Sequence, residues 1–308
     1  LGFFVTSLPE SEPPVPDLDA TAARRWRGLP RSESPWLHEE IALRMADRLR
    51  WFRQQPTSWL HWEPQTGGVK AHQRLQALLP QACGQVAAHD TRQAVAMLAP
   101  PPVRSWSPLS WTRRSRLKLA DEDTRVDMLW ANMVLHLEPQ PQRLLRRWNA
   151  HINTQGFLMF SCLGPDTLRE LRAVYEAHLW PVPHHPFTDM HDWGDMLVHS
   201  GFAEPVMDME RLTLTYSSGA ALLDDLRGLG RNLHAGRPAG LRSRQWRQRL
   251  ISALEAGLPR DADGRLRLTV EVVYGHAFKA PPRPAKGLSG ETAVAIDDMR
   301  AMLRAGRR

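Results

Sequence analysis

Three sets of residues in this chain have types and spacings that could do chemistry. Gly67-Gly68 follows a short apolar run at 59–62, and Asp90 ends a second such run 23 residues beyond Gly67. A glycine turn lets backbone and a helix N-terminus approach a ligand, while an acid at a strand end accepts hydrogen bonds from ribose hydroxyls. The interval is close to the roughly 20 residues usual for that pairing. A turn glycine and a strand-end acid are equally ordinary structural features. The second set is His184, His185, Asp189, His191, Asp192 and Asp195, which has metal-ligand residue types. These residues also suit a helix start at Thr188-Asp189, where short polar side chains cap free N–H groups and acids complement the dipole; no metal is assigned to them. The third is Cys162, read as a buried strand-end thiol because no motif pairs it with a histidine as a nucleophile. No Ser-His-Asp set or carboxylate pair stands out, and no residue is named catalytic.

These residues need elements to hold them. Ser34-Pro35 opens a helix with apolar positions Leu37, Ile41, Met45 and Leu49; Pro35 sits where a missing N–H costs nothing, and Pro56 stops the helix. Strands are expected at 59–62, 86–89, 126–130 and 157–161, the third so continuously apolar that both its faces must be buried. Leu75, Leu78 and Leu79 mark one intervening helix, and Leu144, Leu145, Trp148 and Ile152 another. Such alternation argues for an α/β fold with a parallel, helix-covered sheet. Residues 206–216 and 266–278 alternate apolar and polar, so the last strands are expected to be antiparallel, with helices at about 219–228 and 241–257 between them.

Composition sets the outer bounds. The 308 residues are 42% hydrophobic and 24% charged, which excludes wholesale disorder. Two cysteines cannot build a disulfide framework or a multi-thiolate metal site, and they fit a reducing compartment. No stretch approaches the roughly 20 apolar residues of a membrane span. The opening Leu1–Val5 run lacks the basic flank of a secretory signal, and without an initiator Met the N-terminus is expected to be incomplete or to use another start codon. Residues 1–30 read as a flexible tail, and 281–308 as a second tail with a short helix at 291–303. The net charge is +7, and all but four of the 40 Lys+Arg residues are arginine. That balance permits an acidic protein, anionic lipid or nucleic acid. Scattered basic residues, periodic tryptophans and the lack of a binding motif argue against nucleic acid.

Longer segments are more specific. Phe160-Ser161-Cys162-Leu163-Gly164-Pro165-Asp166-Thr167-Leu168-Arg169-Glu170-Leu171-Arg172 resembles a segment of the BioC family, the malonyl-acyl-carrier-protein O-methyltransferases of biotin synthesis. So do Phe187-Thr188-Asp189-Met190-His191-Asp192-Trp193-Gly194-Asp195 and the stretch from Gly201 to Asp208. Val126-Asp127-Met128-Leu129-Trp130-Ala131-Asn132 resembles the family's fourth strand, whose terminal Asn lines the methyl-donor pocket. The resemblance spans about 34–278 and implies a class I methyltransferase (Rossmann-like) fold. That fold has seven strands, mostly parallel, the last antiparallel, with S-adenosylmethionine at the C-terminal strand ends. It implies a domain at 31–280 with a helical lid insertion at about 217–260, and cofactor binding by Thr66, Gly67, Gly68, Asp90 and Asn132. The implied reaction is cytoplasmic methylation of the malonyl carboxylate on acyl-carrier protein.

The chain departs from the family's first motif, Asp-x-Gly-x-Gly-Thr-Gly. Aligned on Thr66-Gly67, His61 replaces the acid, and Glu63 and Gln65 replace the first two glycines. In the same reading Arg113 stands where an acid meets the adenine amine. Each buried hydrogen-bond partner lost costs about 1–3 kcal/mol, so weakened cofactor binding is expected. A catalytically inactive binding or scaffolding protein is the alternative. The later segments also resemble methyltransferase-like assembly factors of respiratory complex I, some of which modify protein arginines. Finally, Trp246, Leu250 and Leu254 stripe the helix at 241–257, leaving Arg242, Arg244 and Arg247 on its other faces. That surface is either simply solvated or a docking face for the acidic carrier.

Overall fold

The apolar run of β4 (Val126–Asn132) has partners on both sides. Met128 and Trp130 join a core with Leu37, Ile41 and Leu75, whereas Leu129 and Ala131 join one with Leu145, Trp148 and Trp193. The computed structural model from which this follows describes residues 17–53, 55–98, 117–240 and 242–281. Arg113, the first 16 residues and the helix expected at 291–303 lie outside the described residues.

Around β4 the sheet has the order β3-β2-β1-β4-β5-β7-β6. Its strands are β1 (Ser58–Trp62), β2 (Cys83–Ala87), β3 (Lys118–Leu119), β5 (Ile152–Leu163), β6 (Phe202–Tyr216) and β7 (Leu266–Lys279). β1 pairs parallel with β2 and β4, β2 with β3, and β4 with β5, while β7 runs antiparallel between β5 and β6. Chain order reverses between β1 and β4, which in open α/β sheets creates a crevice beyond the strand C-termini.

Helices cover both faces. α2 (Trp36–Asp47) and α4 (Val69–Leu78) contribute to one core; α6 (Pro141–His151) and α8 (Met190–His199) contribute to the other. α2 passes into a 3-10 turn at Arg48–Trp51 and ends before Pro56 is reached. Ile152, the last residue of the stripe on α6, is extended and begins β5. The short elements α3 (Pro64–Gly67), α5 (Thr91–Leu98) and α7 (Arg169–Ala177) follow β1, β2 and β5.

β6 runs in the same direction as β5, so the β6–β7 connection leaves from the crevice end of the sheet. It carries α9 (Gly219–Leu229) and α10 (Arg244–Gly257), whose core of Leu222, Leu250 and Leu254 packs on Leu171, Val174 and Leu266. Part of the expected N-terminal tail is folded onto this insertion. α1 (Ala20–Arg27) buries Ala23 and Trp26 against Leu233, because Asp19 caps it and Asp19 N–H donates to Leu233 O (2.8 Å). Among the described residues no helix is long and apolar enough to cross a membrane.

Gly275 of β7 faces Phe160 of β5, and a Cβ there would sit 2.4 Å from the Phe160 ring. Gly275→Ala is therefore expected to lower stability by about 1–3 kcal/mol through overpacking. Urea unfolding should show a lower midpoint at unchanged slope; an unchanged midpoint contradicts this.

Candidate functional site

β1 ends at Trp62, and Glu63 takes the left-handed conformation (φ +53°) that turns the chain into α3. The Glu63 carbonyl accepts from Thr66 N (3.1 Å), Gly67 N (2.8 Å) and Thr66 Oγ1 (3.2 Å). Gly68 (φ +125°) has no side chain with which to cap α4, so other residues cap it. Ser34 Oγ accepts from Val69 N (3.0 Å), and the Glu39 carboxylate accepts from Lys70 N and Ala71 N (3.1 Å each). The amides that a helix start offers to an anion are occupied here by the protein's own groups.

Asn132, at the end of β4, is fully buried. Its Nδ2 donates to His38 O (2.8 Å) and to Gly67 O, while its Oδ1 accepts from Ser161 Oγ (2.6 Å). His38 Nδ1 in turn donates to Thr66 O (2.7 Å). Four of the expected cofactor residues, Thr66, Gly67, Gly68 and Asn132, thus meet around one turn. Asp90 stands apart at the end of β2, exposed, its Oδ1 accepting from Gln93 N (3.0 Å) at the start of α5.

The three residues that depart from the glycine pattern are all buried. His61 Nδ1 faces His72 Nδ1 at 3.3 Å, so one ring donates and the other accepts. Burial holds His61 well below the usual histidine range and brings His72 down to about 4, which keeps both rings neutral. Glu63 Oε1 accepts from His89 N (2.8 Å). Among the described residues, His61 Nε2, Glu63 Oε2 and Gln65 Oε1 have no hydrogen-bond partner. Burial pushes the Glu63 carboxyl up to about 7, against the opposing pull of Arg27, the His89 N–H, Arg31 and Arg147.

Glu63 lines a cleft of about 340 Å³ at the ends of β1, β2 and β4. Trp62, Val86, Val134 and Leu144 supply apolar wall, and Arg27, Glu138 and Arg147 supply charge. The cleft adjoins a hollow of about 600 Å³ along α6, with which it shares Ala87, Ala120, Glu138, Leu144 and Arg147. Arg27 pairs with Glu138 (2.8 Å) and Arg147 lies over the Trp62 ring (4.8 Å). The pair ties α1 to the segment after β4. A larger cavity, about 770 Å³, opens at the opposite strand ends among Phe52, Phe157 and Phe278, and none of the expected cofactor residues lines it.

The segments carrying the resemblance are structural joints. Glu271, buried in β7, accepts from Asp166 N (2.8 Å), and its carbonyl accepts from Gly164 N (2.9 Å) and Thr167 Oγ1 (3.0 Å). A Cβ at Gly164 would lie 2.6 Å from the Glu271 carboxylate. Asp189 caps α8, accepting from His191 N (2.8 Å). Among the described residues no three His, Cys, Asp or Glu side chains converge as a metal site. Cys162 is buried, and burial pushes its thiol up. Arg242, Arg244 and Arg247 are exposed on or beside α10; Arg242 lies over Trp246 (4.3 Å) and Arg247 pairs with Asp224 (3.0 Å). Sequence reading missed Ser34, Glu39 and Glu271. The signal for Glu39 was a helix expected directly after a glycine that cannot cap it.

The raised Glu63 value has a measurable sign. Because it lies above the ordinary 4.5, this carboxyl's contribution to stability is fully present below about pH 4.5 and lost as the pH rises through about 7. Glu63→Gln removes that loss, whereas the histidines titrate alike in both proteins. The stability of the variant relative to the parent should rise by on the order of 2–3 kcal/mol between pH 4.5 and 8. Chemical denaturation across that range checks it, and a constant difference contradicts it.

No protein-family model matches the sequence. It is 39% identical over 261 residues to a malonyl-[acyl-carrier protein] O-methyltransferase of Gallionella capsiferriformans, covering 80% of this chain and 85% of the relative. It is 32% identical over 276 residues to the protein of the same name from Halorhodospira halophila, covering 87% and 90%. The fold is shared with a putative methyltransferase from Bacillus halodurans, at TM-score 0.51 and 13% identity, over 79% of this chain and all of that one. Similarity on this scale, spread over both halves of the sheet, means that the chain belongs to the malonyl-[acyl-carrier protein] O-methyltransferase family.

Proposed function

We propose that this protein transfers a methyl group from S-adenosylmethionine to the malonyl carboxylate carried by an acyl-carrier protein, a step of biotin synthesis in the cytoplasm. The observation that carries this reading is the family membership, with identity extending over 85% of a relative bearing that name. The cleft at the switch point between β1 and β4 agrees with it.

The residues present fit the methyl donor on one structural ground. His61 Nε2, Glu63 Oε2 and Gln65 Oε1 are buried around a single turn, without partners among the described residues. The donor's ammonium and ribose hydroxyls offer the hydrogen-bond donors that the two acceptors lack. Thr66, Gly67, Gly68 and Asn132 would shape the adjoining backbone, and Asp90 stands at the β2 end. S-Adenosylmethionine supplies an electrophilic methyl group on sulfur. The acceptor carboxylate is already ionised at neutral pH, since such groups titrate near 4, so no side chain has to act as a base. The protein's part is to align the reactants and exclude water. α1 bounds the cleft through Arg27 and is anchored by Trp26, which is buried against Leu233 with Arg31 and Arg231 over its ring at 4.4 and 5.0 Å.

The carrier's acidity gives the exposed arginines of the insertion a use. Arg242, Arg244 and Arg247 form a cationic face at the crevice end of the sheet, suited to steering an acidic partner.

Incubation with S-adenosylmethionine and malonyl-acyl-carrier protein should add one methyl group to the carrier by intact mass, with release of S-adenosylhomocysteine. Unchanged carrier at stoichiometric protein would overturn the reading. Arg244→Glu combined with Arg247→Glu should weaken carrier binding about tenfold at low salt and flatten its salt dependence. Unaltered binding would remove these arginines from the docking face.

A further inference from the structure

Glu63 stands where the family pattern has glycine, and its side chain does something that glycine cannot. Its backbone is left-handed (φ +53°), a conformation that residues with a Cβ adopt at a cost. The side chain crosses from β1 to the end of β2, where Oε1 accepts from His89 N (2.8 Å). Oε2 is buried with no partner among the described residues, and the residue lines the cleft of about 340 Å³. Buried carboxylate oxygens are rarely left without a donor, and a ligand in the cleft is a source of the one that the fold withholds. Asp90, to which the resemblance assigns the ribose, is exposed, caps α5 and is not among the cleft walls.

We propose that Glu63 is the ribose-binding acid of this protein, its free oxygen accepting from a hydroxyl of a nucleoside seated in the cleft. This rests on the reading that the cleft takes the nucleoside end of the methyl donor. The end of β2 is where sheets of this kind hold a ribose; here the carboxylate arrives from β1 and is anchored to β2 by the His89 amide. Trp62, Val134 and Leu144 provide apolar surface for a base, and Arg27 and Arg147 keep the acid from being an isolated charge.

The test is calorimetric titration of the full chain with adenosine, 2′,3′-dideoxyadenosine and S-adenosylhomocysteine. Loss of a hydrogen bond to a charged acceptor corresponds to at least about tenfold in affinity. Adenosine should bind about tenfold or more tightly than the dideoxy compound, and Glu63→Ala, which removes both acceptor oxygens, should erase that difference and weaken S-adenosylhomocysteine by a similar factor. Equal affinity of the parent for the two nucleosides, tighter binding by Glu63→Gly, or no binding of either nucleoside at millimolar concentration overturns the assignment. The nucleoside comparison uses the unaltered protein, so it stands even if a variant folds poorly. Methyl transfer is measured separately. Its absence with diol-dependent binding intact removes the proposed reaction and leaves Glu63 standing; its presence with diol-independent binding does the reverse.

Discussion

The crevice depends on the hydrogen bonds of one buried amide. Asn132 Nδ2 is shared between carbonyls of α2 and of the turn after β1, while its Oδ1 holds Ser161 of β5. Four separate pieces of chain are thereby set against one another at the strand ends. Because Asn132 and Ser161 are fully buried, each of these groups would be left unsatisfied if another moved. His38 reinforces the arrangement by donating to Thr66 O. The turn that bounds the cleft is held from behind, which leaves its front surface to whatever side chains stand at 63 and 65.

Three buried acids then do the work that glycines and free amides do in simpler turns. Glu39 caps α4 from a neighbouring helix, Glu271 gathers the Gly164–Thr167 backbone, and Glu63 bridges β1 to the end of β2. Glu39 spends both oxygens on backbone N–H groups, and Glu271 divides its own between the Asp166 N–H and Arg211 (3.4 Å), which suits burial. Glu63 spends only one oxygen, and that difference sets it apart as a ligand-binding group. The arginine surplus has two kinds of use. Arg27 and Arg211 pair with acids, at Glu138 and Asp166, and Arg31, Arg147 and Arg231 lie over tryptophan rings. Planar guanidinium groups stack and fork where ammonium groups would only attract. The arginines beside α10 are among the exposed ones.

Much of the architecture was legible beforehand. The run at 126–130 announced a strand buried on both faces, and the alternation at 206–216 and 266–278 announced the long antiparallel pair. Such patterns are local, because strand and helix periods are written residue by residue. The family resemblance was legible for a related reason: Gly164, Thr167 and Asp189 are joints where a missing Cβ, a hydroxyl and a capping carboxylate are each used. The N-terminal boundary was not legible. A proline-rich, acidic start gives no sign that Trp26 will find Leu233 some 200 residues later.

The sequence by itself determined the class of fold, the order of its elements, the family and the identity of the residues at the first turn. Tertiary structure decided what those residues do. Glu63 read as a substitution that spoils a glycine turn; only the approach of β2 supplies the His89 amide that anchors it and the cleft that the residue lines. Asp90 read as the ribose acid; only the fold directs it to the start of α5. The physical reason is that hydrogen-bond partners are assigned by distance in space, and the pairs that matter here, such as Glu39 with Ala71 and Glu63 with His89, are brought together only when the sheet and its helices close.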